Sequence, residues 1–274
     1  MTEAVVGKLA RTLSADAPAF SAWVSVNEAA VAEALARQGF DAVVLDMQHG
    51  ALDFAGASRA ILAVALAGLP AIVRVPVGGF PLASRLLDAG AAGVIAPMIN
   101  SRADAERFAS FTKFPPLGER SWGPRAALAL SGLEAPAYFR SANAMAQTIA
   151  MIETRAAVDA LDDILAVEGL NGVFVGPSDL SIALSDGQSL EPRGPGLIAV
   201  AQRIAARAGA RGKFAGMFCF DGADAGAMAA LGFKLCSISS DLGMLRASAR
   251  AELAVARAAS GGAPGEGAKS SYMS

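Results

Sequence analysis

Short apolar runs return eight times along this chain of 274 residues, each followed by a segment of helical period. Few architectures use such a pattern. The runs are Phe20–Val26, Ala42–Asp46, Ala71–Val75, Gly93–Pro97, Thr148–Ile152, Gly172–Val175, Phe214–Phe218 and Leu235–Ile238. They are of strand length and apolar on both faces, as strands covered by helices must be. Strand and helix alternating eight times predict a closed (β/α)8 TIM barrel, with a doubly wound open sheet as the less fitting alternative. Hydrophobic residues at 54% against 18% charged supply the large core that a barrel needs.

Helix starts and stops agree with this division. Asn27-Glu28 can cap a helix carrying Val31 and Leu35 that stops at Gly39, and Ser101 can cap one holding Ala105 and Phe108. Thr154 can cap a helix with Val158, Leu161 and Leu165 that closes near Gly169. The segment from Lys113 to about Met145 is too long for an ordinary connection and is expected to be a lid or binding loop with a short helix. Residues 1–259 are expected to form one barrel domain, and the Gly- and Ser-rich residues 260–274 a flexible tail.

Several function classes are excluded as expectations. A net charge of −2 leaves no basic footprint for nucleic acid. No stretch reaches the roughly 18 uninterrupted apolar residues of a membrane span, and the first residues lack the basic and apolar blocks of a signal peptide. Cys219 and Cys236 are too few and too embedded in apolar runs for a disulfide framework or a zinc site, which points to a reduced, cytoplasmic protein.

In a barrel, the chemistry forms where the strands end. Asp46 and His49, the only histidine, follow the second run. Arg74 closes the third, Glu153 the fifth, and Asp179 follows the sixth in Gly176-Pro-Ser-Asp179. Each has a plainer reading: a solvated rim group, a surface ion pair of Glu153 with Arg155, a helix cap by Asp179. Arg74 resists one, since a guanidinium inside an apolar strand needs a partner or an anion. Together they suit a specific chemistry. Two carboxylates with open positions hold a hard divalent cation through oxygen, and such an ion stabilises an enolate as a Lewis acid. The backbone N–H groups of Ser178 and Asp179, opening a helix, suit a substrate carboxylate. Arg74 suits a keto or enolate oxygen, and His49 suits proton transfer.

The chain resembles the metal-dependent pyruvate aldolases of the HpcH/HpaI family, within the phosphoenolpyruvate/pyruvate-binding barrels. The resemblance runs from about Ser21 to Ala256. It is carried by Phe40-Asp-Ala-Val-Val-Leu-Asp46-Met-Gln-His49, Val73-Arg74-Val-Pro, Leu86-Leu-Asp88-Ala-Gly90, Pro97-Met98, and Phe114-Pro-Pro-Leu-Gly118-Glu-Arg120-Ser-Trp-Gly123-Pro. Ile152-Glu153-Thr and Val167-Glu168-Gly-Leu-Asn-Gly172-Val-Phe-Val-Gly176-Pro-Ser-Asp179 complete it. It implies a class II aldolase that joins or cleaves 4-hydroxy-2-oxo acids from pyruvate (or a close analogue such as hydroxypyruvate) and an aldehyde. By the resemblance, Glu153 and Asp179 hold Mg2+, Mn2+ or Co2+, and Arg74 binds the pyruvate oxygen. Gly176, Ser178 and Asp179 receive the substrate, and His49 is the base. It also implies that Asp88 pairs with the histidine of a neighbouring subunit, in a homohexamer built as a trimer of dimers with a swapped C-terminal helix, Leu242–Ala258.

Two positions depart from the family pattern: Gln48 where a glutamate is common, and Met151 where a glutamine often lies. Both make the pocket less polar. Two other activities compete. A CoA-thioester lyase of the citrate lyase beta or malyl-CoA lyase type would need basic rim residues, for which Lys113, Arg120 and Arg125 are available. A catalytically silent barrel would bind 2-oxo acids without turning them over.

Overall fold

The computed structural model describes residues 5–260, so the tail expected over 260–274 lies outside the described residues apart from Ser260. The eight strands are β1 Ala19–Val24, β2 Ala42–Asp46, β3 Ala71–Arg74, β4 Gly93–Ala96, β5 Gln147–Ile152, β6 Gly172–Val175, β7 Phe214–Cys219 and β8 Leu235–Ile238. They pair in parallel, in chain order, and β8 closes on β1. The (β/α)8 barrel read from the sequence is therefore the fold.

The strand pleat sorts the core into two compartments. Val24, Val43, Leu45, Val73, Val94, Ile152 and Val175 pack outward against the helices. Trp23, Val44, Ile72, Ile95, Ile149, Met151 and Phe174 fill the barrel interior. The inward rows matter for function, because the residues that continue them past the strand ends emerge at the mouth.

The helices α1 Val5–Ser14, α2 Ala29–Ala36, α3 Phe54–Leu66, α4 Phe80–Asp88 and α5 Arg102–Thr112 cover the first half. Glu28 accepts from the amide of Ala30, Ser101 caps α5, and Gly39 takes φ +92° just after α2, in the left-handed region that a glycine adopts without strain. Helix α1 was not foreseen. Its Val6, Leu9 and Leu13 recur at helical spacing and are buried, and Leu9 packs beneath β4 and β5, where a Cβ on Gly93 would lie 3.0 Å from its side chain. It seals the N-terminal end of the barrel.

The segment expected to be a lid folds instead as two helices, α6 Arg125–Ser131 and α7 Ala135–Met145, packed on α1. The chain order decides this: the segment joins a helix to the next strand, and such connections lie at the end of the barrel opposite the strand C-termini. The helix expected after Thr154 is split at Ala160 into α8 Arg155–Asp159 and α9 Leu161–Leu165. Helices α10 Pro177–Leu184, α11 Pro195–Ala210 and α12 Gly222–Ala230 complete the ring. The last helix, α13 Asp241–Ala259, projects from it: only Asp241 of its residues is buried, while Leu242, Leu245, Leu253 and Val255 are exposed. Among the described residues, no helix is long and apolar enough to cross a membrane, and both cysteines are free and buried.

Candidate active site

At the C-terminal mouth of the barrel lies a cavity of about 320 Å³, whose lining includes Trp23, His49, Arg74, Met151, Asp179 and Phe218. The pleat decides which strand-end residues face this mouth. Asp46 continues the inward row after Val44, Arg74 after Ile72, Glu153 after Met151, and Gly176 after Phe174.

Asp46 and Arg74 are register partners on β2 and β3. Arg74 Nε donates to Asp46 Oδ1 at 2.9 Å and Nη2 to Oδ2 at 2.7 Å, a two-pronged charge-assisted pair. Both side chains are buried. The amides of Gln48 and His49 also donate to Asp46 Oδ1, and Trp23 Nε1 donates to Oδ2. Burial by itself would raise the Asp46 carboxyl, but the bonds and charge of Arg74 with those two amides outweigh it and hold it below the usual carboxylate value. The guanidinium lies 4.8 Å from the Trp23 ring centroid, which fixes its plane. Its remaining nitrogen, Nη1, is directed toward Met151 Sδ at 4.0 Å, on the cavity side. The sequence placed Asp46 at a strand end without a task. Its task is to clamp Arg74 and the turn that carries His49.

Glu153 is 1% exposed. The surface ion pair with Arg155 does not form, because Arg155 bonds Asp186 and the carbonyls of Ala183 and Leu184. Glu153 Oε1 accepts the Met98 amide at 2.8 Å, and Met98 adopts a left-handed φ of +55° to present it. Glu153 Oε2 has no hydrogen-bond partner. Burial raises the Glu153 carboxyl first, the Met98 amide opposes it, and the charge of Asp179 adds to the rise. A buried carboxylate oxygen with no donor is costly unless something cationic meets it. Gly176 makes room for it: a Cβ there would stand 2.6 Å from Oε2. Gly176 also begins α10, and the first residues of that helix, Ser178 and Asp179 among them, line the cavity. Asp179 is exposed in its first turn.

This arrangement fits a hard divalent ion. It offers one orphaned buried oxygen, a second carboxylate close enough to perturb the first, and a cavity lined by Asp179 and by Gly176, the glycine that faces Glu153. Among the described residues, no cluster of three or more His, Cys, Asp or Glu could hold a metal. Glu153 and Asp179 are the two carboxylates that could meet such an ion here. Gln48 Oε1 is likewise buried without a partner, and Met151 adds an apolar surface to the cavity.

His49 stands exposed on the cavity wall. Asp88 is not brought to it. Asp88 ends α4 at the opposite face of the barrel, where Arg120 Nη2 donates to it at 2.7 Å while stacking 4.6 Å from the Phe114 centroid. Lys113 and Arg120, which a nucleotide-binding rim would need, are buried at that same far end. Lys113 donates to the carbonyls of Asn143 and Ala146 and to Asn171 Oδ1.

Residues 20–248 match the family described as HpcH/HpaI aldolase/citrate lyase. The chain is 40% identical over 241 residues to a hydroxypyruvate/pyruvate aldolase of Rhizorhabdus wittichii, covering 88% of this chain and 95% of that protein. It is 32% identical over 241 residues to a 5-keto-4-deoxy-D-glucarate aldolase of Salmonella paratyphi C, covering 88% and 93%. The crystal structure of an HpcH/HpaI aldolase/citrate lyase family protein from Burkholderia cenocepacia superposes with a TM-score of 0.82 at 32% identity, covering 92% of this chain and 99% of that one.

Proposed function

Because the chain belongs to the HpcH/HpaI aldolase/citrate lyase family, we propose that it is a carbon–carbon lyase: a cytoplasmic class II aldolase that cleaves or forms 4-hydroxy-2-oxo acids from pyruvate or hydroxypyruvate and an aldehyde. The observation that carries this reading is the unpartnered, buried Glu153 Oε2 opposite Gly176, next to the clamped guanidinium of Arg74. Glu153 and Asp179 would hold Mg2+, Mn2+ or Co2+. A bound ion of this class supplies Lewis-acid stabilisation of a 2-oxo acid and its enolate.

The chain's own residues do the rest. The amides of Ser178 and Asp179 at the start of α10 receive the substrate carboxylate. Arg74, immobilised by Asp46 and Trp23, offers its free donors to the C2 oxygen, where negative charge develops. In cleavage, His49 removes the C4 hydroxyl proton, the C3–C4 bond breaks and the aldehyde leaves. A proton returned to C3 then yields the 2-oxo acid. Trp23, Met151 and Phe218 form an apolar wall that keeps water from the carbanion.

A second copy of the chain completes the site in this reading. Asp88 can reach only another chain's His49, and the exposed leucines of α13 offer a surface for the swapped helix of a hexamer. Neither nucleic acid nor membrane has a part.

The test is exchange of the pyruvate methyl protons for deuterium in the presence of Mn2+, followed by NMR. Wild type should exchange, and Glu153→Ala and Asp179→Ala should lose both exchange and Mn2+ binding. Pyruvate bound without exchange would instead identify a silent barrel, and turnover confined to CoA esters a thioester lyase.

A further inference from the structure

The turn that carries His49 is held from two sides, and the second holder, Ser25, is itself held by a residue of the C-terminal helix. The first side is Asp46, which accepts the amides of Gln48 and His49. On the other side, the amide of Ala51 donates to the Ser25 carbonyl at 2.7 Å. Gly50 is pressed between the two holders: a Cβ there would lie 2.2 Å from the Asp46 carbonyl oxygen and 2.8 Å from the Ser25 carbonyl oxygen. The position of His49 therefore depends on where Ser25 sits.

Ser25 does not continue β1. The strand expected to reach Val26 stops at Val24. The amides of Ser25 and Val26 both turn to one oxygen, Asp241 Oδ2, at 2.9 Å each. Asp241 Oδ1 accepts the amide of Leu242 at 2.8 Å. Asp241 as a whole is 6% exposed. Its carboxylate is delivered by a tight turn after β8, in which Ser239 takes a left-handed φ of +53° and donates its amide to the Cys219 carbonyl at 2.7 Å. A non-glycine residue in that conformation is held there by its surroundings. Asp241 is also the only buried residue of α13.

We propose that Asp241 is a positioning residue for His49: by gathering the Ser25 and Val26 amides, it fixes the carbonyl on which the His49 turn is hung. The proposal rests on His49 being the catalytic base only for its effect on turnover. The positioning itself is read separately, because the chain has a single histidine and its imidazole C–H signals are unambiguous in protein labelled with 13C-histidine.

The experiment compares Asp241→Ala with Asp241→Asn in the full-length protein. The asparagine carbonyl can take the place of Oδ2 and accept both amides, sacrificing only the Leu242 bond. In Asp241→Ala, the His49 signal should shift and broaden. The kcat should fall about 10- to 100-fold, the cost of roughly an ångström of misplacement, with KM for pyruvate and Mn2+ affinity unchanged, and Asp241→Asn should restore the signal and return kcat to within a few-fold of wild type. If Asp241→Ala does not fold, Asp241→Ser, too short to reach both amides, makes the same comparison. An unmoved His49 signal would overturn the proposal. So would an asparagine variant as impaired as the alanine one, or equal losses in kcat, KM and Mn2+ affinity, which would mark collapse of the whole pocket. Wild-type turnover in His49→Ala would refute the base assignment instead, leaving the signal comparison to judge Asp241.

Discussion

Substituting Arg74 by lysine should separate charge from geometry in this site. The substitution keeps the positive charge beside Asp46 but replaces a rigid fork by a single ammonium. In the native pair, two nitrogens serve Asp46, at 2.9 and 2.7 Å, and a third is directed toward the cavity. A lysine can hold one Asp46 oxygen and cannot also present the third donor. Each lost bond to a charged group is worth about 1.5–3 kcal/mol. On the stability side, the lost Asp46 bond should lower the melting temperature by about 3–12 °C for a domain of this size, since both groups are buried and little water can replace the donor. On the catalytic side, the missing donor should lower kcat/KM about ten- to hundredfold. Most of that loss should appear in kcat, because the C2 oxygen carries more charge in the enolate than in the bound ketone. Mn2+ affinity should not change, because neither carboxylate assigned to the ion bonds Arg74. Steady-state aldol cleavage, a thermal melt and Mn2+ titration of the same preparation measure all three. A lysine variant with wild-type kcat/KM would show that charge alone suffices and that the Asp46–Trp23 clamp has no catalytic purpose.

Other expected outcomes follow from the same geometry. His49→Ala should lower turnover by about 10²–10⁴-fold, the range of a positioned acid–base group, and unchanged turnover would remove His49 from the mechanism. Gly176→Ala would put a methyl group 2.6 Å from Glu153 Oε2. Calorimetric titration should show Mn2+ affinity weakened by about tenfold or more, whereas normal affinity would mean that Oε2 is not a ligand. At the far end of the barrel, burial and the nearby charge of Arg120 push the Lys113 ammonium down from 10.5 to about 7. Between those values the unfolded chain holds a proton that the folded one releases, so this group adds stability as pH rises above about 7 and loses it as pH falls through 7. The melting temperature of wild type relative to Lys113→Met should therefore climb from pH 6.5 to 9. A flat difference would mean that the three acceptors around its Nζ keep the ammonium charged.

What the sequence disclosed about this protein, and what it withheld, has a physical pattern. Buried parallel strands are apolar on both faces, so their number and order were readable from Ala42–Asp46 or Gly172–Val175 without any structure. The same property hides the side to which each residue points. Val43 and Val44 look alike in sequence, yet one packs on the helices and the other fills the barrel. A residue at a strand end could therefore be recognised as a rim group but not assigned inward. Cross-strand register was equally invisible, and it is register that opposes Asp46 to Arg74. Helix α1 is hard to read from sequence because an N-terminal amphipathic turn has no strand before it to mark its place. The length of the segment after Lys113 suggests a lid, but length does not say which face of the barrel a segment occupies. Its position between a helix and a strand, already visible in the order of the runs, puts it at the face away from the site. Asp88 lies on that same face. A residue that a resemblance ties to His49, but that the fold holds at the other end of its own barrel, can act only through a second chain. Under the proposed reading, turnover should depend on protein concentration and track dissociation of the assembly, whereas turnover independent of concentration would leave Asp88 only its bond with Arg120.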